Sequence, residues 1–123
     1  MQLSYNDERG WASIEFALIT PAVVFLAFVM GAVVAVAGDR ARLIASAHAA
    51  ALAAMRGEPQ AAVAAAAGAG LPPLQLRDVT ITPEHTGGIA VVKVCVIAHR
   101  SLPRPLAAMS LTWRECASAP SEP

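Results

Sequence analysis

Phe16 to Ala37 is a run of 22 residues without a charge, FALITPAVVFLAFVMGAVVAVA, and it limits what the chain can fold into more than any other feature. At 1.5 Å per residue a helix of that length reaches roughly 33 Å, close to the ~30 Å hydrocarbon core of a bilayer. Asp7, Glu8 and Arg9 close the run on one side, and Asp39, Arg40 and Arg42 close it on the other. No other stretch of the sequence qualifies, so the expectation is a single membrane-spanning helix. Pro21 lies one turn inside. It removes one backbone hydrogen bond and is expected to kink the helix locally, which a membrane helix tolerates. Gly31 and the neighbouring alanines leave a thin flank where another helix can come close.

The rest of the composition argues against a dense, self-sufficient core. Alanine supplies 28 of the 123 positions, aromatic residues are 5%, and the mean hydropathy is +0.53. The length suits one domain. Nine basic side chains balance nine acidic ones, which leaves no basic footprint for nucleic acid.

One acid breaks the apolar pattern. Glu15 stands at the inner edge of the run, after Trp11, Ala12, Ser13 and Ile14. An ionised carboxylate costs about 2.5 kcal/mol or more toward the bilayer centre and less at the interface. Glu15 therefore either snorkels to the headgroups or has a partner. Upstream, MQLSYNDERG is short and polar and ends in Gly10. A glycine, four residues, Glu-Phe and then an apolar run with an early proline resembles the cleavage site of type IV pilin-like proteins. The stretch ERGWASIEFALITPAV resembles in particular the TadE family of minor pseudopilins, of the tight-adherence (Flp) pilus system. The likeness covers Glu8 to roughly Leu52. It rests on Gly10, Glu15, Phe16 and Pro21.

This resemblance implies a mechanism. A prepilin peptidase, a membrane-embedded aspartyl protease, would cut between Gly10 and Trp11. Glycine suits that position, because a backbone without a side chain can enter a narrow site. The carboxylate of Glu15 would then pair with the new amino terminus of a neighbouring subunit. The implied partners are that peptidase, the pilus assembly platform and other pilin-like subunits. The flanking charges alone favour the opposite orientation, since Arg9 precedes the helix and Arg40, Arg42 and Arg56 follow it. The pilin-like leader implies a cytoplasmic N-terminus instead. Ala35-Val36-Ala37 before Gly38 is also an A-x-A signal-peptidase pattern, but the apolar run is long for a secretory signal.

Beyond the run, DRARLIASAHAAALAAMR (39–56) places Ile44, Ala47, Ala51 and Met55 at helical spacing, with Arg40, Arg42 and Ser46 on a wetter face. This reads as the membrane helix continuing out of the bilayer until Gly57 and Pro59 stop it. Gln60 to Ala67 reads as a low-complexity alanine spacer of a turn or two, or a second short helix, with little area to bury. The tail changes period. Leu76, Val79 and Ile81 lie in a short β-prone run. Gly87-Gly88 is a turn, and Ile89 to Ala98 is the best strand, with Val92, Val94 and Val96 on one face. Pro103 and Pro105 break it, and Met109 to Ala117 can form a third strand. SAPSEP (118–123) reads as a frayed end.

The cysteines are Cys95 and Cys116. Outside the membrane the compartment permits disulfides, so a Cys95–Cys116 bridge is expected, and closing a loop of about 20 residues is worth roughly 3 kcal/mol in the chain-entropy model. Two buried thiols are the alternative. His48, His85 and His99 match no zinc spacing to the cysteines, so no metal is expected. No nucleophile elbow and no phosphate-cradling loop is present, so no cofactor and no enzymatic activity are expected. Trp113 reads as a packing anchor, and Lys93 and Arg114 can share a polar sheet face.

The expected fold class is α+β: a long N-terminal transmembrane helix extending outside the membrane, then a small two- to three-stranded antiparallel sheet packed on its distal part. The expected organisation is a leader over 1–10, a membrane helix over 11–37 and an extended helix with alanine spacer over 38–70. An exported β region over 71–119 and a disordered tail over 120–123 complete it. The expected function is that of a minor pseudopilin or assembly factor, held in a bacterial cytoplasmic membrane with its C-terminal region outside. The rivals are a single-pass anchored binding module and a small protein secreted after cleavage at Ala37.

Overall fold

A computed structural model of the chain describes residues 5–102, 104 and 107–121. Two helices and three strands follow one another: α1 (Tyr5–Met55), α2 (Gln60–Ala69), β1 (Gln75–Thr86), β2 (Ile89–Ser101) and β3 (Ser110–Pro120). The strands form one open antiparallel sheet in the order β1-β2-β3. The architecture is thus α+β, a long apolar helix followed by a small three-stranded sheet. Residues 1–4 of the expected leader, Pro103 and Pro105, and 122–123 lie outside the described residues. The chain divides into two compact units, Met1–Ala37 and Gly38–Pro123.

Among the described residues the first unit holds the N-terminal part of α1 and no other element. From Trp11 to Val36 its large apolar side chains are exposed, with Phe16 and Phe28 each at 75%. Among the described residues, α1 is the one helix long and apolar enough to cross a membrane, and its most apolar window buries nothing against the rest of the chain. Such an exposed apolar surface is compatible with a single-pass membrane anchor. Pro21 stands inside the helix. Thr20 Oγ1 donates to the Phe16 carbonyl at 2.6 Å, one turn back, close to where the proline ring interrupts the ladder.

The second unit is a two-layer structure. The C-terminal part of α1 and all of α2 cover one face of the sheet. Leu43, Ala47, Ala50, Ala51 and Ala53 of α1 are buried, with Val63 and Ala67 of α2 and Leu71 and Leu74 of the connector. The sheet contributes Val79, Val94, Val96, Ala98, Ala117 and Ala119. A register shift between Leu76 and Asp78 leaves Arg77 as the extra residue of a bulge. Without it Leu76 and Val79 would point to opposite faces; with it both pack inward with Ile81. The β1–β2 hairpin turns at Gly87 (φ +61°) and Gly88 (φ +82°), the paired positive angles that a two-residue turn needs.

Where α1 ends, the Gly57 N–H bonds the Ala54 carbonyl (3.0 Å) and the Glu58 N–H bonds the Ala53 carbonyl (3.2 Å). With Gly57 at φ +72° this is a Schellman cap, and the expected stop at Gly57 and Pro59 is found there.

Four expectations need correction. Ile44 is exposed and Leu43 is buried in its place, while Ala47 and Ala51 of the expected stripe are buried and Met55 packs partly against the core. Ser46 is buried rather than wet, because it points at α2. Of the two readings of the alanine stretch the second short helix is the one found, and the spacer is not: it is the ten-residue α2, with Val63 and Ala67 fully buried. Alanine buries little area, but it lets helix backbones approach closely enough for a serine to reach a carbonyl. Finally, the tail is ordered through 121. Pro120 pairs with Val91, and the Ser121 N–H donates to the Ala90 carbonyl at 3.0 Å.

Candidate functional site

The residues singled out for processing and assembly, Gly10, Trp11, Glu15, Phe16 and Pro21, all lie on α1. Trp11 and Glu15 are four residues apart and so share one side of the helix, separated by about 6 Å of rise. Trp11 is 71% exposed and Glu15 is also exposed. Among the described residues Glu15 makes no ion pair. Among the described residues nothing lies within 4 Å of where a Gly10 side chain would begin, so no packing contact among them accounts for glycine there. Its cost is clear: a helix-interior glycine weakens the helix by about 1 kcal/mol against alanine, which makes the turn around Gly10 easier to open.

A second constellation was not singled out from sequence. Asp39, two residues past the apolar run, has 2% of its side chain exposed. It accepts a hydrogen bond from Arg100 Nη1 near the end of β2, and Arg42 Nη1 lies 3.4 Å from its other oxygen. A buried carboxylate is tolerable only with such partners. Local reading could find Asp39 and Arg42, three residues apart on a helix. Arg100 is 61 residues away and only the helix-on-sheet packing brings it in.

Cys95 and Cys116 are bonded, with an S–S distance of 2.06 Å. They are directly opposed in the β2–β3 register and their Cα atoms are 4.0 Å apart. The bond lies on the face of the sheet turned away from the helices, a face that also carries Lys93, Arg114, Glu84 and Asp78. Lys93 Nζ sits 3.4 Å from Glu84 Oε1. Trp113 faces inward and packs partly against the core.

The histidines are not brought together. His48 and His85 are exposed, and His99 is half-buried with an Nδ1 that finds no partner among the described residues. The described residues hold no group of three His, Cys, Asp or Glu side chains placed to share a metal ion. No protein-family model, curated protein or solved structure matches the chain.

Proposed function

We propose that the chain is a TadE-like pseudopilin, a structural subunit or assembly factor of a tight-adherence pilus rather than an enzyme. The observation that carries this reading is the position of Glu15. It is an acid at the start of the membrane-length apolar helix, five residues after Gly10 and followed directly by Phe16. On this reading a prepilin peptidase hydrolyses the Gly10–Trp11 bond, leaving a carboxylate on Gly10 and an ammonium on Trp11. That ammonium stands at a helix N-terminus, where the helix dipole adds positive charge. The Glu15 carboxylate of a neighbouring copy neutralises it, and two groups that each disfavour lipid become a matched pair.

The pair also sets a register. Trp11 and Glu15 are one turn apart in a single chain, so pairing between chains offsets neighbours by about 6 Å along the helix. The membrane is the bacterial cytoplasmic membrane, with the N-terminus inside and residues from Gly38 onward outside. The partners are the peptidase, the assembly platform and other pilin-like subunits. The role needs neither cofactor nor nucleic acid.

A second reading, a tethered exported module, is favoured by one feature: Gly38–Pro123 is a compact unit with its own core. The mass and N-terminal sequence of the protein recovered from cells decide between them. A chain beginning at Trp11 supports the pseudopilin reading. One beginning at Met1 favours the tether, and one beginning at Gly38 favours secretion.

A further inference from the structure

Cys95 and Cys116 stand opposite each other in the β2–β3 register, but their surroundings differ. Cys95 is on the middle strand, with Thr80 of β1 across from it on one side and Cys116 of β3 on the other. Lys93 and Ile97 flank it along β2 on the same face. Cys95 is accordingly buried, at 5% exposure. Cys116 is on an outer strand and is exposed. Among the described residues no strand pairs with β3 on its far side. Cys116 also lies in the middle of β3 (Ser110–Pro120), away from both of its ends. Both cysteines belong to the compact unit Gly38–Pro123.

From this asymmetry we propose that Cys116 is a thiol–disulfide exchange site. Its sulfur is the one that a low-molecular-weight disulfide meets, and Cys95 is the thiol that closes the bond. In the reduced sheet the Cys116 thiolate attacks one sulfur of the outside disulfide. A new S–S bond forms to Cys116, the outside S–S bond breaks, and one thiolate leaves. Cys95 then gives its proton to water and attacks Cys116 Sγ, which expels the second outside thiolate. The two cysteines together give up two electrons and two protons, and the outside disulfide departs as two thiols. Room sets the order. An adduct on Cys116 extends past the unpaired side of β3, whereas one on Cys95 must fit between Thr80 and Cys116 in the middle of the sheet face. The β2–β3 ladder holds Cys95 opposite the adduct, so the closing step is intramolecular. Reduction passes through the same sulfur: an outside thiolate that reaches Cys116 Sγ releases Cys95.

The full chain in detergent micelles, with oxidised glutathione as the probe, tests this. Cys95→Ser leaves Cys116 as the one thiol, and Cys116→Ser leaves Cys95. Under native conditions the Cys95→Ser chain is expected to take up glutathione roughly ten-fold faster, because exchange follows access to the thiolate. In urea the two rates should converge. Equal native rates, or a faster rate at Cys95, overturn the proposal. The wild-type chain gives a second readout that does not depend on either variant folding. It is reduced without denaturant, re-oxidised with glutathione and quenched by alkylation at intervals, and peptide masses then locate the adduct. Glutathione on Cys116 ahead of the closed bond is expected. An adduct on Cys95 instead, or a bond that re-forms only after the chain has been unfolded, overturns the proposal.

Discussion

Asp39 on α1 and Arg100 near the end of β2 form an ion pair in which the acid is almost wholly buried and the base is 35% exposed. The two ends of the pair are thus unequal. Removing the arginine strands a buried carboxylate with Arg42 alone nearby, whereas removing the acid leaves a guanidinium that water can reach. Arg100→Ala is expected to cost about 3 kcal/mol, and Asp39→Asn about half of that, since breaking a buried pair is dearest when the buried member is left charged. Thermal unfolding of the two variants in detergent micelles checks the order. Equal losses would mean that Arg42 or water replaces Arg100.

Ser46 binds the helices to each other. Its hydroxyl donates to the Ala67 carbonyl at 2.5 Å in a buried contact. Ser46→Ala leaves that α2 carbonyl without its buried donor, a loss of about 1–3 kcal/mol. Ser46→Val should be worse, because the added methyl groups must fit where Ala47, Ala50 and Ala67 leave almost no space. Hydrogen exchange of the α2 amides is the direct readout: both variants should speed it well before they affect β2.

What the sequence discloses here divides by range. The apolar run, the Gly57 stop, the Gly87-Gly88 turn and the strand over Ile89–Ala98 are local signals, and each is found where the residues place it. The Cys95–Cys116 bridge is expected from the sequence and is found, and the cross-strand register is what places the two cysteines opposite each other. Ser46 reads as part of a wet helix face and Asp39 as a charge that closes the apolar run, because burial of a short polar side chain depends on what comes back to cover it. Alanine hides the packing of α2 for a similar reason. A run of alanines has no apolar stripe, and Val63 alone does not announce a packed helix. The bulge at Arg77 was partly visible: Leu76, Val79 and Ile81 could not share a face in a regular strand.

Gly57 tests the link between α1 and α2. At φ +72° any other L-residue is strained by about 1–2 kcal/mol, and the cap bonds from Gly57 and Glu58 depend on that angle. Gly57→Ala should lower the melting temperature of the folded unit, while Gly70→Ala, at an ordinary negative φ of −103°, should change it little. Calorimetry of the two variants side by side separates backbone strain from a general loss of flexibility.

The disulfide closes a loop between residues 21 apart, within a sheet of only three strands. Its loss, by Cys95→Ser with Cys116→Ser or by reduction, is expected to cost about 3 kcal/mol in the chain-entropy account. The β2–β3 ladder does not need the bond to form, so the unfolding midpoint should fall while the strand signal in circular dichroism at low temperature persists. Loss of that signal on reduction would mean that the bond holds the ladder together.

Glu15 carries the sharpest functional prediction. It sits where the apolar segment begins, so its removal should favour membrane insertion slightly rather than oppose it, since a charge at that depth is a penalty. Glu15→Gln keeps the size and the helix but cannot neutralise a neighbour's ammonium. Under the pseudopilin reading the variant should still be inserted and still be cut after Gly10, but it should fail to enter pili. Fractionation of membranes and sheared fibres from cells carrying it measures all three steps. Wild-type pilus yield with Glu15→Gln would remove the pairing role even if the chain begins at Trp11. A companion variant, Gly10→Val, should block the cut while leaving insertion intact, so that failure of processing and failure of assembly are read separately.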